Sequence, residues 1–377
     1  MLILVAVLAI FVNGMVTTML GTILPDLSHR LRLSPTRNGT IAFSQALGLM
    51  VASIGVGPLL DNQNNKLGLI LGLAFIAIAL FALPRSPGFH GIVFLLFLLG
   101  MGSGIVITAA NTMVSAIIVT NRATALNLLN LFFCLGALAT PFISANLFHK
   151  NWRRLSYALA TFTVVVIVIQ AVTRTPAPIA AARFVLADAG PVLGRPLLFL
   201  LALFMFLYIT CEVGIWNWLP RHLIAQGIPE SRALNTLSMG FALGMLIGRA
   251  AVSQILILVP PVAVTLAASI AIAVTTFLML RTTRPNHIFA LAFLAGISVS
   301  PVFPTTLAMV ANAFPHMSGT ALGFVITCGW AGLAVSSRII GAIAGSDPRR
   351  LKKALLLIPL SAVLMVGVNL AIWCAQR

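Results

Sequence analysis

An all-α membrane protein of twelve transmembrane helices, arranged as two pseudo-symmetric six-helix bundles, is the fold class this sequence predicts. Three observations predict it. Hydrophobic residues make up 60% of the 377 residues and charged ones only 8%, where soluble domains are about a quarter charged. Apolar runs of about 20 residues, each long enough to cross a hydrocarbon core of roughly 30 Å, recur from end to end. The second half of the chain also slides onto the first at an offset of 195 to 196 residues.

The first apolar run covers 2–24 and places Asn13, Thr17 and Gly21 on one helical face. It begins Met1-Leu2-Ile3-Leu4 without a basic leader or small-residue cleavage site, so it is read as a span and not as a removable signal. Arg30, Arg32 and Arg37 separate it from the second run, 39–60, which carries Gln45. A polar loop at 61–66 precedes the third, 67–83, and Arg85 closes that one. The fourth, 91–118, holds Gly100, Gly102 and Gly104, small residues of the kind that let helices approach closely in bilayers. Arg122 introduces the fifth, 124–148, and Lys150, Arg153 and Arg154 introduce the sixth, 155–172. The longest non-apolar interval follows at 173–196, with Pro176, Pro178, Asp188, Pro191, Arg195 and Pro196. It divides the spans six and six and is read as a linker between a bundle at 1–172 and a bundle at 197–377. The remaining runs are 197–222, 233–254, 260–280, 288–312, 319–344 and 354–374.

The internal repeat brings Leu24-Pro25 onto Leu219-Pro220, Ala46-Leu47-Gly48 onto Ala242-Leu243-Gly244, Ala125-Leu126 onto Ala321-Leu322, and Gly136 onto Gly332. A common offset across three span pairs implies parallel repeats, a symmetry that transporters carry.

Composition also excludes. The cysteines Cys134, Cys211, Cys328 and Cys374 sit in apolar runs without a close-spaced pair, so neither a disulfide framework nor a zinc site is suggested. The net charge of +17 is spread over short loops and forms no single stripe, which points to anionic lipid headgroups and away from nucleic acid. There is no phosphate-binding loop, metalloprotease histidine pair or nucleophile elbow. The expectation is a protein that is not an enzyme, needs no cofactor and binds no metal.

The loop after the second run reads Gly57-Pro58-Leu59-Leu60-Asp61 and ends at Lys66. It resembles the cytoplasmic loop motif of the major facilitator superfamily, with Asn62 and Asn64 where that family usually has Arg and Gly. More specific is a resemblance to the fucose-galactose-glucose:proton symporter branch. It rests on Thr108 to Asn111, Asn127 and Asn130 followed by Gly136, Cys211 to Trp216, Ile247-Gly248-Arg249, and Phe303-Pro304-Thr305. The resemblance spans essentially the whole chain and implies the major facilitator fold, alternating access, and Gly57, Asp61, Lys66 and Arg249 as gating residues. Two departures stand out. The acidic residues that fucose permease carries in its first and fourth spans align with Gly21 and Ile107 here. That leaves Glu212 in the seventh span as the expected coupling site.

Glu212 is the only acidic residue inside a long apolar run, in a chain with six Asp and Glu in all. A carboxylate there must be neutralised, paired or watered, which makes it the default functional residue. Its bland alternative is a structural pair with Arg249 or Arg338. The repeat maps Asn13, Thr17 and Gly21 onto Tyr208, Glu212 and Trp216, and the superfamily architecture implies that these faces line a central cavity. Trp216 and Trp330 are candidates for stacking on a pyranose ring. An interfacial aromatic belt is the competing account, although Trp330 falls too deep in its span for one, and Trp218 is expected to face elsewhere. Gln45, Asn111, Asn127 and Asn130 offer amides at membrane depth, suited to holding sugar hydroxyls or equally to bonding between helices.

The resemblance and these residues together imply secondary active transport of a small polar solute, a monosaccharide above all, with a proton or sodium ion as co-ion and Glu212 as coupling residue. A drug or amphipath exporter and a non-transporting sugar sensor are the alternatives. A multi-pass monomer in a bacterial inner membrane, surrounded by lipid, is the expected setting. One conflict remains in the sequence. The superfamily topology places Arg30, Arg32, Arg37, Arg85, Lys150, Arg153, Arg154, Arg221, Arg232, Arg281, Arg284, Arg349, Arg350, Lys352 and Lys353 outside, against the positive-inside tendency.

Overall fold

The computed structural model describes residues 2–33, 35–62, 65–86, 88–148, 151–173, 186–344 and 348–376. Their regular secondary structure is helical throughout: α1 (Leu2–Leu31), α2 (Pro35–Asp61), α3 (Asn65–Ala82), α4 (Phe89–Ile117), α5 (Arg122–Asn146) and α6 (Trp152–Val172) in the first half. A short α7 (Leu186–Leu193) follows within the expected linker, of which 174–185 lie outside the described residues. The second half comprises α8 (Pro196–Ala225), α9 (Glu230–Asn235), α10 (Leu243–Ile255), α11 (Pro261–Arg281), α12 (Pro285–Val299), α13 (Val302–Ala313), α14 (Ser318–Ala344), α15 (Pro348–Leu355) and α16 (Leu357–Ala375). Twelve segments are long and apolar enough to cross a membrane, and they coincide with the twelve expected runs.

Local chemistry sets many of the helix starts. Proline opens α2, α8, α11, α12 and α15, where its fixed φ suits the first turn and its missing N–H costs nothing. Asn151 caps α6, accepting the Arg154 N–H at 3.2 Å. Past the end of α8, Gly227 takes φ +86°, the left-handed turn that closes a helix.

The chain forms two compact units. The first is Met1–Val119, Leu129–Val192 and Phe314–Thr327; the second is Thr120–Leu128, Leu193–Ala313 and Cys328–Arg377. Each is built mainly from one half of the sequence and takes one helix tip from the other. Within the first unit α4 packs along both α2 and α3, and α3 along α6. Within the second, α16 packs along α8 and α11, and α12 along α10 and α11.

The internal repeat is visible as a set of equivalent close crossings. In the first unit a Cβ on Gly48 would meet the Phe97 carbonyl, one on Gly100 the Gln45 carbonyl, and one on Gly136 the Phe11 carbonyl. In the second unit Gly244 faces the Phe293 carbonyl, Gly296 that of Phe241, and Gly332 that of Phe206. Both the glycines and the carbonyls they meet are related by the offset of 195 to 196 seen in the sequence. Without an apolar driving force between helices in lipid, such backbone-to-backbone approach is a main source of association.

Three spans of the second unit depart from regular helix; the twelfth is interrupted at Leu356, between α15 and α16. The eighth runs α9, a π-helical turn over Thr236–Ala242, then α10. The tenth is broken into α12 and α13 at Ser300 and Pro301.

Candidate functional site

Glu212 lies in α8, half-buried, with fully buried Tyr208 one turn earlier on the same helical face. The cation acting on it is Arg249 of α10, which is 3% exposed. Arg338, the other arginine weighed as a partner, is exposed. Trp216, one turn after Glu212, sets its ring edge-on against Phe241 of the π turn, with centroids 5.4 Å apart and planes at 81°. Tyr208 meets Phe303 of α13 at 6.5 Å. The face of α8 read from the sequence as Tyr208, Glu212 and Trp216 is therefore braced by the eighth and tenth spans.

The break in the tenth span explains how Arg249 is held. In an α-helix each carbonyl bonds the N–H four residues on, and proline has none to give. Pro301 thus leaves the Ile297 carbonyl without its helical donor, and Pro304 does the same to Ser300. Both are supplied from side chains. The Ser300 hydroxyl donates to the Ile297 carbonyl at 2.8 Å, and Arg249 Nε donates to the Ser300 carbonyl at 3.3 Å. Gly248 makes the approach possible, since a Cβ there would come within 2.8 Å of Ile297 Cα.

The asparagines are engaged with protein groups. Asn130 Nδ2 donates to Asn111 Oδ1 at 2.9 Å, and Asn111 Nδ2 donates to the Ile107 carbonyl at 2.7 Å, joining α4 to α5 within the first unit. Asn127 Nδ2 donates to the Ala123 carbonyl at 2.8 Å and to Thr305 Oγ1 at 3.0 Å, joining the tip of α5 to α13 within the second. All three are buried. Although three apart, Asn127 and Asn130 serve different partners in different units.

Other candidates keep unused polar atoms. Asn13 Oδ1 and Trp330 Nε1 are buried without a hydrogen-bond partner, while Thr17 is bonded to the Asn13 carbonyl at 2.8 Å. Gln45 is half-buried. Gly21 has open space around its Cα, with nothing within 4 Å of a Cβ built there. Trp218 Nε1 is also unpartnered, and Arg221 stacks on that ring at 5.5 Å.

The ends of the 61–66 motif serve opposite helix termini. Asp61 accepts the N–H groups of Gly319 at 2.7 Å and Thr320 at 2.9 Å, together with the Thr320 hydroxyl. Lys66 Nζ donates to the Ala171 and Thr173 carbonyls at the end of α6, at 2.9 and 2.8 Å. Each charge thus sits at the helix pole of opposite sign. Gly57 lets α14 come close, its missing Cβ position being 2.7 Å from Thr320 Cα. In the second unit Arg122 at the start of α5 donates to the Ala311 carbonyl at 3.0 Å and to Asn312 Oδ1 at 2.7 Å, near the end of α13.

Sequence reasoning missed Arg122, Ser300 and Thr320. The signal for Ser300 was present: two prolines three apart inside an apolar run free a pair of carbonyls by simple counting. A surface groove between α3 and α6, lined by Ala74, Ala77, Ile78, Phe81 and Val164, is apolar. No cluster of three metal-ligating side chains occurs among the described residues.

Twelve apolar spans, a repeated helical plan and a charged group held inside one of them define a polytopic membrane transporter. The chain belongs to the major facilitator superfamily, whose family profile matches residues 6–337. It is 24% identical to the glucose/mannose transporter GlcP of Bacillus subtilis, covering 96% of this chain and 92% of that protein. It is 21% identical to a gentisate transporter of Corynebacterium glutamicum, covering 86% and 76% respectively. Among solved structures, the superfamily transporter FucP in its outward conformation superposes with a TM-score of 0.82 at 16% identity, over 98% of both chains.

Proposed function

We propose that this protein carries a monosaccharide across the membrane by alternating access, coupled to a proton through Glu212. The observation that carries the reading is the Tyr208–Glu212–Arg249 arrangement in the second unit, where an ionisable carboxyl is kept at membrane depth beside a charge that can balance it. Such groups are costly in a bilayer and mark ion or substrate pathways. Trp216 and Trp330 supply flat apolar surface with an N–H donor, and Asn13 supplies a spare amide oxygen, the chemistry that binds a hydroxylated ring. The near full-length similarity to a glucose/mannose transporter supports the same substrate class. Asn111, Asn127 and Asn130 hold helices together in this reading, and Gln45 and Thr17 remain candidates for substrate contact.

Glu212 and Arg249 exchange roles with the transported ion: the guanidinium neutralises the carboxylate in one state, and a proton does so in another. Asp61 and Lys66, at the helix poles they occupy, hold one conformational state closed at their end. That end and the N-terminus are cytoplasmic in this proposal, and the membrane is the bacterial inner membrane. Cysteines placed at Asn62 and Arg350 in intact cells test the orientation, with external labelling of the Arg350 site alone as the expected result.

A second reading takes an aromatic hydroxy acid as substrate, favoured by the buried cation Arg249 and by the similarity to a gentisate transporter. One experiment separates them. Purified protein is screened for thermal stabilisation by glucose, mannose, fucose, gentisate and 4-hydroxybenzoate, since a ligand bound to the native state raises its melting temperature. Uptake of the stabilising solute is then measured in proteoliposomes. Stabilisation by aromatic acids alone overturns the sugar reading, and stabilisation without flux identifies a sensor.

A further inference from the structure

Arg249 acts in two directions: its charge bears on Glu212 of α8, and its Nε donates to the backbone of the tenth span at its break. We propose that Arg249 is a positioning residue that links the state of Glu212 to the geometry of the α12–α13 break, making that break a conformational relay inside the second unit. The inference rests on the reading of Glu212 as the coupling site, but it concerns a residue and an element that the reading does not require.

The geometry gives the relay its parts. The Ser300 carbonyl has lost its helical donor to Pro304, so its hydrogen bond depends on a side chain from another helix. An unbonded carbonyl in a lipid-embedded helix has no water to turn to, so α13 follows the guanidinium that supplies the bond. Gly248, against Ile297 and Ser300, leaves Arg249 little freedom to shift relative to α12. What can change is the pull on the guanidinium from Glu212. While the carboxylate is charged, its attraction draws the guanidinium toward α8, and the bond to the Ser300 carbonyl holds it at the break. Once Glu212 is neutral, the attraction toward α8 is lost and the bond to the break remains.

The motion has somewhere to go. Thr305, one residue past Pro304, accepts the Asn127 amide from the tip of α5 at 3.0 Å, and Thr124 on that tip donates to the Ser253 carbonyl at 3.1 Å. Farther along α13, the Ala311 carbonyl and Asn312 hold Arg122 of the same tip. A rotation of α13 about Ser300 and Pro301 therefore bears on the one segment of the first sequence half that belongs to this unit. The π turn at Thr236–Ala242, which packs on α12, adds a second irregular element against the same helix.

The test is a double-mutant cycle read by amide hydrogen exchange of 298–306 in the ligand-free protein, so that it stands whatever the substrate proves to be. Glu212→Gln should change exchange of this segment by about threefold or more in the parent and leave it unchanged in an Arg249→Lys background, since coupled residues are non-additive. Lysine keeps the charge and loses Nε. Pro304→Ala is the second variant: it returns an N–H to position 304, restores the helical bond to Ser300, and should silence the response to Glu212→Gln with Arg249 intact. Separate melting curves establish that each variant is folded, and Pro304→Ala decides the matter if Arg249→Lys is not. The proposal is overturned if Glu212→Gln leaves the segment's exchange untouched in the parent, or changes it equally in the variant backgrounds. A failed sugar screen, by contrast, bears only on the substrate.

Discussion

The carboxylate of Asp61, the last residue of α2, caps the first turn of α14 by accepting the Thr320 N–H at 2.9 Å and the Thr320 hydroxyl. Gly319 adds a second N–H at 2.7 Å. A negative charge at a helix N-terminus is stabilising, by up to about 2 kcal/mol in partly buried geometry. Asp61→Asn keeps an acceptor oxygen and loses the charge, while Asp61→Ala loses both. Melting of the purified protein should rank parent above Asn above Ala, with Ala about 2 kcal/mol below the parent. Equal melting of all three would show that the contact adds nothing to stability.

Glu212→Gln is expected to abolish accumulation of solute against its gradient while leaving solute exchange partly intact, because an amide keeps hydrogen bonding and cannot carry a proton. Glu212→Asp should restore part of the uphill flux. Proteoliposomes with an imposed proton gradient give the measurement. Undiminished uphill uptake by the Gln variant excludes this residue from coupling.

Gly100 and Gly296 occupy equivalent crossings, each against a main-chain carbonyl of the neighbouring helix. Alanine at either should cost about 1 to 3 kcal/mol through overpacking. At Gly367, which has nothing within 4 Å of a built Cβ, alanine should be neutral or raise stability by up to about 1 kcal/mol through helix propensity. Thermal unfolding of the three single variants checks this, and a Gly100 variant as stable as the Gly367 variant would contradict it.

The Asn111–Asn130 pair predicts non-additivity. Replacing either by leucine removes the bond between α4 and α5 and should cost about 1 kcal/mol, in line with interhelical hydrogen bonds in bilayers. Replacing both removes the need for the bond, so the double variant should lose less than the sum of the two. Substrate affinity in the folded double variant should match the parent. A large loss of affinity would return these residues to the binding site.

The spans were legible because hydropathy alone defines them, and the repeat was legible because close crossings demand glycine, a residue that leaves a trace at fixed spacing. Gly136 and Gly332 matched in the sequence for the same reason that they match in space. The irregularity of the tenth span was half legible: Pro301 and Pro304 announce freed carbonyls, but which side chain answers depends on how α10 packs, and no local pattern names Arg249. The asparagines illustrate the converse limit. An amide in an apolar run signals a hydrogen bond, and whether its partner is a sugar or another helix is decided by neighbours remote in the chain. Lys66 was recognised as part of the loop motif, yet its bonds run to α6, about a hundred residues downstream, a contact created by tertiary packing alone.

The borrowed helix tips have a consequence for biosynthesis. Residues 120–128 and 314–327 are traded between the sequence halves at equivalent places in the repeat. The contacts that the early half makes with 314–327 can form only when translation has passed residue 327. The last of its packing is therefore completed late in synthesis, when nearly all of the protein has been made.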